Sequence, residues 1–525
     1  MLVAEISVAK RRHFLVFSSV AASRVDFCQV KDQKMKYSTA QIICIIIFIL
    51  LFSWVMMAGI LETLINKKVI SINTQKGGIF EYVLIASPSE SIKELSSIKV
   101  PKSTRFISGM KIILIILTIY AHVCLLLVYK PTIAVSYGKL MDIMDDILSI
   151  IFNRLFTMIE TFFFISGFVL FYFRKENENG SKMKYVIFLM KRSIKFTILI
   201  LCVVALAIVI PLFGDGPQWQ LITLEGIYIE KNWWKFALHI NNLIKTQTSY
   251  LDVTWCINAL MQLTVLTVPL LFIQDRWPTV GCIIMSVLIV CGMISYMYDV
   301  LNKKYYEILG TFLNTRKVIN YQPENYQKPY YSHLSSYCFG LLIGYIIQKN
   351  KHLKFGKTFL RFMWICSSTL IALILYGPYV FKTCTFPNEN VIVAFQCVSP
   401  FIWTIGIAWL CVACVTGHGG VINKFLSHKI FIFLDHVSVW IYLLHIFIIA
   451  YVYGQSRRAR TTTIFELIMV YFFVTNITLI ASYIVFIFVQ SPITRLISKL
   501  LQKKSQMNEA AAELETLPEV KQHSE

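Results

Sequence analysis

Eleven times along this chain a run of about twenty residues is almost wholly apolar. At ~1.5 Å per residue, each run is long enough to cross the ~30 Å hydrocarbon core of a bilayer. The runs start near positions 40, 107, 151, 186, 253, 279, 334, 360, 398, 432 and 464. In lipid a backbone must satisfy its own hydrogen bonds, so such runs fold as helices. The expected fold class is all-α: a polytopic transmembrane helix bundle of about 11 spans, with one leading span ahead of a ten-span block. The run near 334 is short for a span. Hydrophobic residues make up 56% of the chain, which excludes an ordinary soluble domain.

A net charge of +21 does not point to nucleic acid here, because the cations cluster in short loops between runs. Lys67, Lys68, Lys76, Lys93, Lys99, Lys102 and Arg105 precede the second run. Arg174, Lys175, Lys182, Lys184, Lys191 and Arg192 lie between the third and fourth, and Lys349, Lys351, Lys354 and Lys357 follow the seventh. Positive loops stay in the cytosol, so these loops and the C-terminus are expected there, in the endoplasmic reticulum or plasma membrane. The expected organisation is a basic segment (1–37), a leading span (38–65), a cytosolic loop (66–105), a membrane domain (106–501) and a cytosolic tail (502–525). The basic segment conflicts with an N-terminus outside, and its side is left open. The sequon at Asn179 falls on the cytosolic side and is expected to carry no glycan. Asp145 and Asp146 fall outside and are expected to be solvated.

Thirteen cysteines are scattered through the runs. Cys411 and Cys414 have redox spacing but sit in an apolar stretch, which favours packing. Cys384 and Cys397 flank an outside loop, where a disulfide is expected. No Cys/His set has zinc spacing and no glycine loop suits a phosphate, so neither a metal nor a bound cofactor is expected. The stretch "KNWWKFALHINNL" reads as a helix lying in the membrane interface.

Chemistry is expected where polar groups enter the runs. In "FISGMKIILIILTIYAHVCLLLVYK", Lys111 and His122 lie eleven residues apart, about 16 Å along one helix face. Glu160, Gln262 and His445 fall at roughly the depth of His122, ~10–12 Å from the outer surface. Four polar groups at one depth suggest a single buried site. Each also fits a plainer role: an intramembrane His or Gln often only bridges two helices, and Lys111 can snorkel to the interface. Ser166 and Gly167 can serve close helix approach.

The ordered motifs "GMKIILIILTIYAH", "ETFFFISGF", "KNWWKFALHINN", "TWCINALMQL", "YQKPYYSHLSSYCFGLLIGY", "GHGGVINKFLSHKIFIFLDHVSVWIYLLH" and "SYIVFIFVQSPITRLISK" together resemble acyltransferase family 3. The likeness is to its animal nose-resistant-to-fluoxetine branch and runs from about Gly109 to Lys499. It implies transfer of an acyl group from an acyl-CoA-type donor to a hydroxyl on a lipid, sugar or other small acceptor. His122 is then the expected general base and Glu160 the group that orients it. Lys111, Ser166, Trp255, Gln262, His333 and His445 complete the expected substrate-binding set. The chain departs from the family at Lys111 and His333, where Arg is usual. Leu260 and Gln490 stand where acids are usual. Two other readings stay open beside the enzyme: a transporter of lipids or small hydrophobes, and a catalytically inactive relative. Expected partners are membrane lipids, the donor and the acceptor, with no nucleic acid.

Overall fold

The computed structural model describes residues 37–70, 78–97, 100–129, 154–155, 157–174, 182–216, 219–244, 251–303, 329–350, 353–383, 389–455 and 463–500. Sixteen helices follow one another among them: α1 (Thr39–Asn66), α2 (Ile79–Leu84), α3 (Pro88–Ser96), α4 (Arg105–Tyr129), α5 (Glu160–Tyr172), α6 (Lys182–Val209), α7 (Trp219–Ala237) and α8 (Trp255–Arg276). Then come α9 (Pro278–Lys303), α10 (Leu334–Lys349), α11 (Lys357–Thr383), α12 (Glu389–Val415), α13 (Gly420–Leu426), α14 (Lys429–Asp435), α15 (Ser438–Gly454) and α16 (Ile464–Val485). No strand occurs among the described residues. The chain is an all-α polytopic helix bundle. Eight helices are long and apolar enough to span, nine if α14 and α15, bent by 68°, form one broken span. The other two expected runs give α5 and α10, of 13 and 16 residues. Asn179, Asp145, Asp146 and Cys384 lie outside the described residues; Cys397 is buried on α12.

The two short helices pack tightest. A Cβ on Gly340 or Gly344 would strike the backbone oxygen of Phe164 or Phe168, and one on Gly167 would strike that of Tyr337. Small residues let backbones approach closely where lipid offers no hydrophobic drive. The register 164 to 340 and 168 to 344 makes α5 and α10 parallel, so their N-terminal ends, Glu160 and His333, meet. Gly109 of α4 is similarly pressed against the Leu426 backbone at the end of α13.

Helix α1 begins with a capping box, Ser38 and Gln41 each bonding the other's backbone N–H. It buries only Val55 and Ala58, and its apolar exposed face suits lipid. The Gln41 amide donates to the Ile208 carbonyl of α6 at 3.2 Å. The segment expected as a plain loop, 66–105, instead folds α2 and α3 back against α1. Trp54 Nε1 donates to the Tyr82 carbonyl at 3.3 Å, and the Ser87 and Ser89 hydroxyls donate to Glu62. The same segment clasps the helical turns that follow α16. Lys499 pairs with Glu81 at 2.5 Å, Ser491 donates to Glu94 at 2.7 Å, and Arg495 donates to Ser91 Oγ at 2.6 Å.

Helix α7 is kinked at Asn232 and exposes Trp233 and Trp234, as an interface helix would. Its return turns His239 inward at a left-handed φ of 57°.

Candidate active site

His122 on α4 and His445 on α15 face each other, His122 Nδ1 lying 3.0 Å from His445 Nε2. The rings are tilted by 34° with centroids 5.0 Å apart. His445 is wholly buried, its Nδ1 3.3 Å from the Ile441 carbonyl one turn back. His122 as a residue is only partly buried. Of the pair, His122 is the less enclosed.

Glu160 does not orient His122. Its Oε1 lies 2.7 Å from His333 Nδ1, with both side chains fully buried. The close seating of α5 on α10 aims the first turn of α5 at the start of α10 rather than at α4. The His333 ring lies between Phe163, stacked at 4.0 Å and 4°, and Trp255, at 5.3 Å and 30°. The expected single site is thus two pairs, His122–His445 and Glu160–His333. Tyr442 stands between them, its ring 6.0 Å from His445 and 6.4 Å from Phe162, its hydroxyl bonded to the Val253 carbonyl at 2.9 Å.

Lys111 is not a lone cation awaiting a donor. Its Nζ is 2.5 Å from Asp435 Oδ1 at the bend between α14 and α15. Asp435 also accepts from Ser108 at 2.8 Å and from Ser438 at 3.1 Å. The sequence reading missed Asp435, which closes α14 and which no local pattern marks as a partner of Lys111. Ser166 accepts from an Arg192 Nη at 2.8 Å. Lys195, a turn further along α6, feels the charges of Arg192 and Lys111. Arg192, counted earlier as loop charge, thus lies with Lys195 on α6 itself.

Gln262 is engaged in architecture. Its amide donates to the His239 carbonyl at 2.7 Å and to Asn242 Oδ1 at 2.8 Å, and its oxygen accepts from Asn242 at 3.2 Å. The His239 ring completes this latch, with Nδ1 3.2 Å from Asn258 Oδ1 and Nε2 3.0 Å from Thr197 Oγ1. Burial pushes the His239 imidazole below its ordinary value, opposed by the Asn258 bond. At the other departures from the family pattern, Leu260 packs on the apolar core and Gln490 accepts from Trp440 Nε1.

The sequence profile of the acyltransferase domain matches residues 104–487, well over half of the chain. "Nose resistant to fluoxetine protein 6" of Caenorhabditis elegans is 25% identical over 316 residues, covering 56% of this chain and 37% of that relative. The matched part thus spans little more than a third of the relative's length. No solved structure matches the chain. Long apolar helices from α4 to α16, carrying buried histidine and carboxylate pairs, lie inside the stretch the profile covers, and the chain belongs to acyltransferase family 3.

Proposed function

We propose that the protein moves an acyl group from an acyl-CoA-type donor to a hydroxyl of a lipid, sugar or other small acceptor, with His122 as general base. The observation that carries this is the His122–His445 pair, with His122 only partly buried, inside a bundle of acyltransferase type. His122 takes the hydroxyl proton as the oxygen attacks the thioester carbonyl. The C–S bond then breaks, and the leaving thiolate takes up a proton. Arg192 and Lys195 have no carboxylate partner among the described residues and suit the donor's phosphates. Lys111 is already answered by Asp435. The loop charges support a cytosolic donor end and C-terminus, and the proposed site of action is the endoplasmic reticulum or plasma membrane.

The test is protein in lipid nanodiscs supplied with acyl-CoAs of graded chain length. Free CoA and acylated lipid or sugar products are followed by mass spectrometry. His122→Ala should lose turnover by about 10²–10⁴-fold at unchanged monodispersity. Equal product from wild type and His122→Ala would overturn the reading.

A further inference from the structure

We infer that His445 is a positioning residue that fixes His122 in the one tautomer able to act as a base, doing with a neutral imidazole what a carboxylate does in a catalytic triad.

A backbone carbonyl can only accept, so the contact between His445 Nδ1 and the Ile441 oxygen at 3.3 Å puts the proton of His445 on Nδ1. A neutral His445 then presents a bare Nε2. The atom 3.0 Å from it, His122 Nδ1, has to be the donor. With its hydrogen on Nδ1, His122 carries its lone pair on Nε2. The opposite wiring would aim the Nδ1 lone pair of His445 at the Ile441 carbonyl in a fully buried site, which is repulsive. When His122 Nε2 takes a proton from the acceptor hydroxyl, Nδ1–H still points at His445 Nε2. The new charge is then shared along the bond without a carboxylate.

This inference rests on the acyl-transfer reading only for its kinetic arm. Glutamine at 445 places its amide oxygen where Nε2 now lies; asparagine places it near Nδ1, too short to reach His122. Leucine offers no acceptor. His445→Gln should retain most of kcat, while His445→Asn and His445→Leu should lose about 10²-fold or more in kcat with little change in KM. A structural role would treat the two amides alike. The tautomer is read without turnover from ¹⁵N-histidine NMR of the full chain in nanodiscs, the His122 signals being those lost in His122→Gln. Wild type and His445→Gln should show a bare Nε2 at His122; His445→Leu should show mixed tautomers. A protonated Nε2 in wild type, or a His445→Leu spectrum identical to wild type, would overturn the inference. Absence of acyl transfer with every donor while Nε2 is bare would overturn the proposed reaction and leave the wiring standing.

Discussion

Lys111 Nζ and Asp435 Oδ1, 2.5 Å apart, form the first of two links between α4 and the bent pair α14–α15, at the last residue of α14. The second is His122–His445. On α4 the step from one link to the other is eleven residues, about 16 Å; on the facing side it crosses the 68° bend between α14 and α15.

Removing the cation should cost stability before it costs donor affinity. Lys111→Met leaves Asp435 with two serine donors and no counter-charge. Because Lys111 is 30% exposed, the expected loss is about 1–3 kcal/mol, below the 3–5 of a fully buried pair. Lys111→Arg should keep the pair, and Lys111→Met with Asp435→Leu should recover part of the loss. Thermal unfolding in detergent reads this directly. A Lys111→Met protein as stable as wild type but weaker for acyl-CoA would return Lys111 to the donor site.

The Glu160–His333 pair is fully buried, so truncating either side removes a buried charge or hydrogen-bond partner of the other. Glu160→Leu is expected to lower folded yield sharply, and Glu160→Gln less so. His333→Arg should fold, since a planar guanidinium fits between Phe163 and Trp255 and still reaches a carboxylate. Size-exclusion profiles of the three variants decide it; an aggregated His333→Arg beside a monodisperse Glu160→Leu would contradict this view.

Gly344→Ala and Gly340→Ala each put a methyl into a backbone oxygen of α5. Such overpacking costs about 1–3 kcal/mol, and neither backbone can swing aside. Gly356→Ala meets open space and serves as the control. Unfolding temperatures of the three variants should rank accordingly.

His239 gives the fold a pH dependence of known sign. Its folded value lies below the ordinary 6.5, so the unfolded chain binds its proton first. The stability it contributes is complete above that value and falls away as pH drops below it. Asparagine tolerates the left-handed backbone there but cannot titrate. Between about pH 7 and 5 the unfolding temperature of wild type should fall more steeply than that of His239→Asn. Parallel curves would show that burial does not hold this ring neutral.

Asn179, placed in the cytosol by the loop charges, should carry no glycan on the protein from its own cells. Glycosidase-sensitive mass on a peptide containing Asn179 would reverse the orientation.

The apolar runs made the helix class legible, because lipid leaves the backbone no other choice. Depth was legible too: counting residues from span ends brought His122 and His445 to one level, and they touch. Azimuth was not. Nothing local says that Glu160 faces α10, since that follows from how Gly167, Gly340 and Gly344 seat the two helices. The four-residue spacing of Gly340 and Gly344 marked a packing face without naming its partner. Gln262 sat at the right depth but bonds Asn242, on a chain return whose path no periodicity encodes. Arg192 was counted as loop charge although the fourth apolar run starts near 186; α6 starts ten residues before it, so it lies well inside the helix.

The clasp between the α2–α3 segment and the turns after α16 has a consequence for how the chain is made. Arg495 is synthesised 404 residues after Ser91, about 20–80 s later at ~5–20 residues per second. Through that interval Glu62, Glu81 and Glu94 already sit beside the first span, and the arginine, lysine and serine they serve do not yet exist. Only when the last helix arrives does this acidic seam close. A chain cut short before Ser491 therefore leaves Glu81 and Glu94 without Lys499 and Ser491.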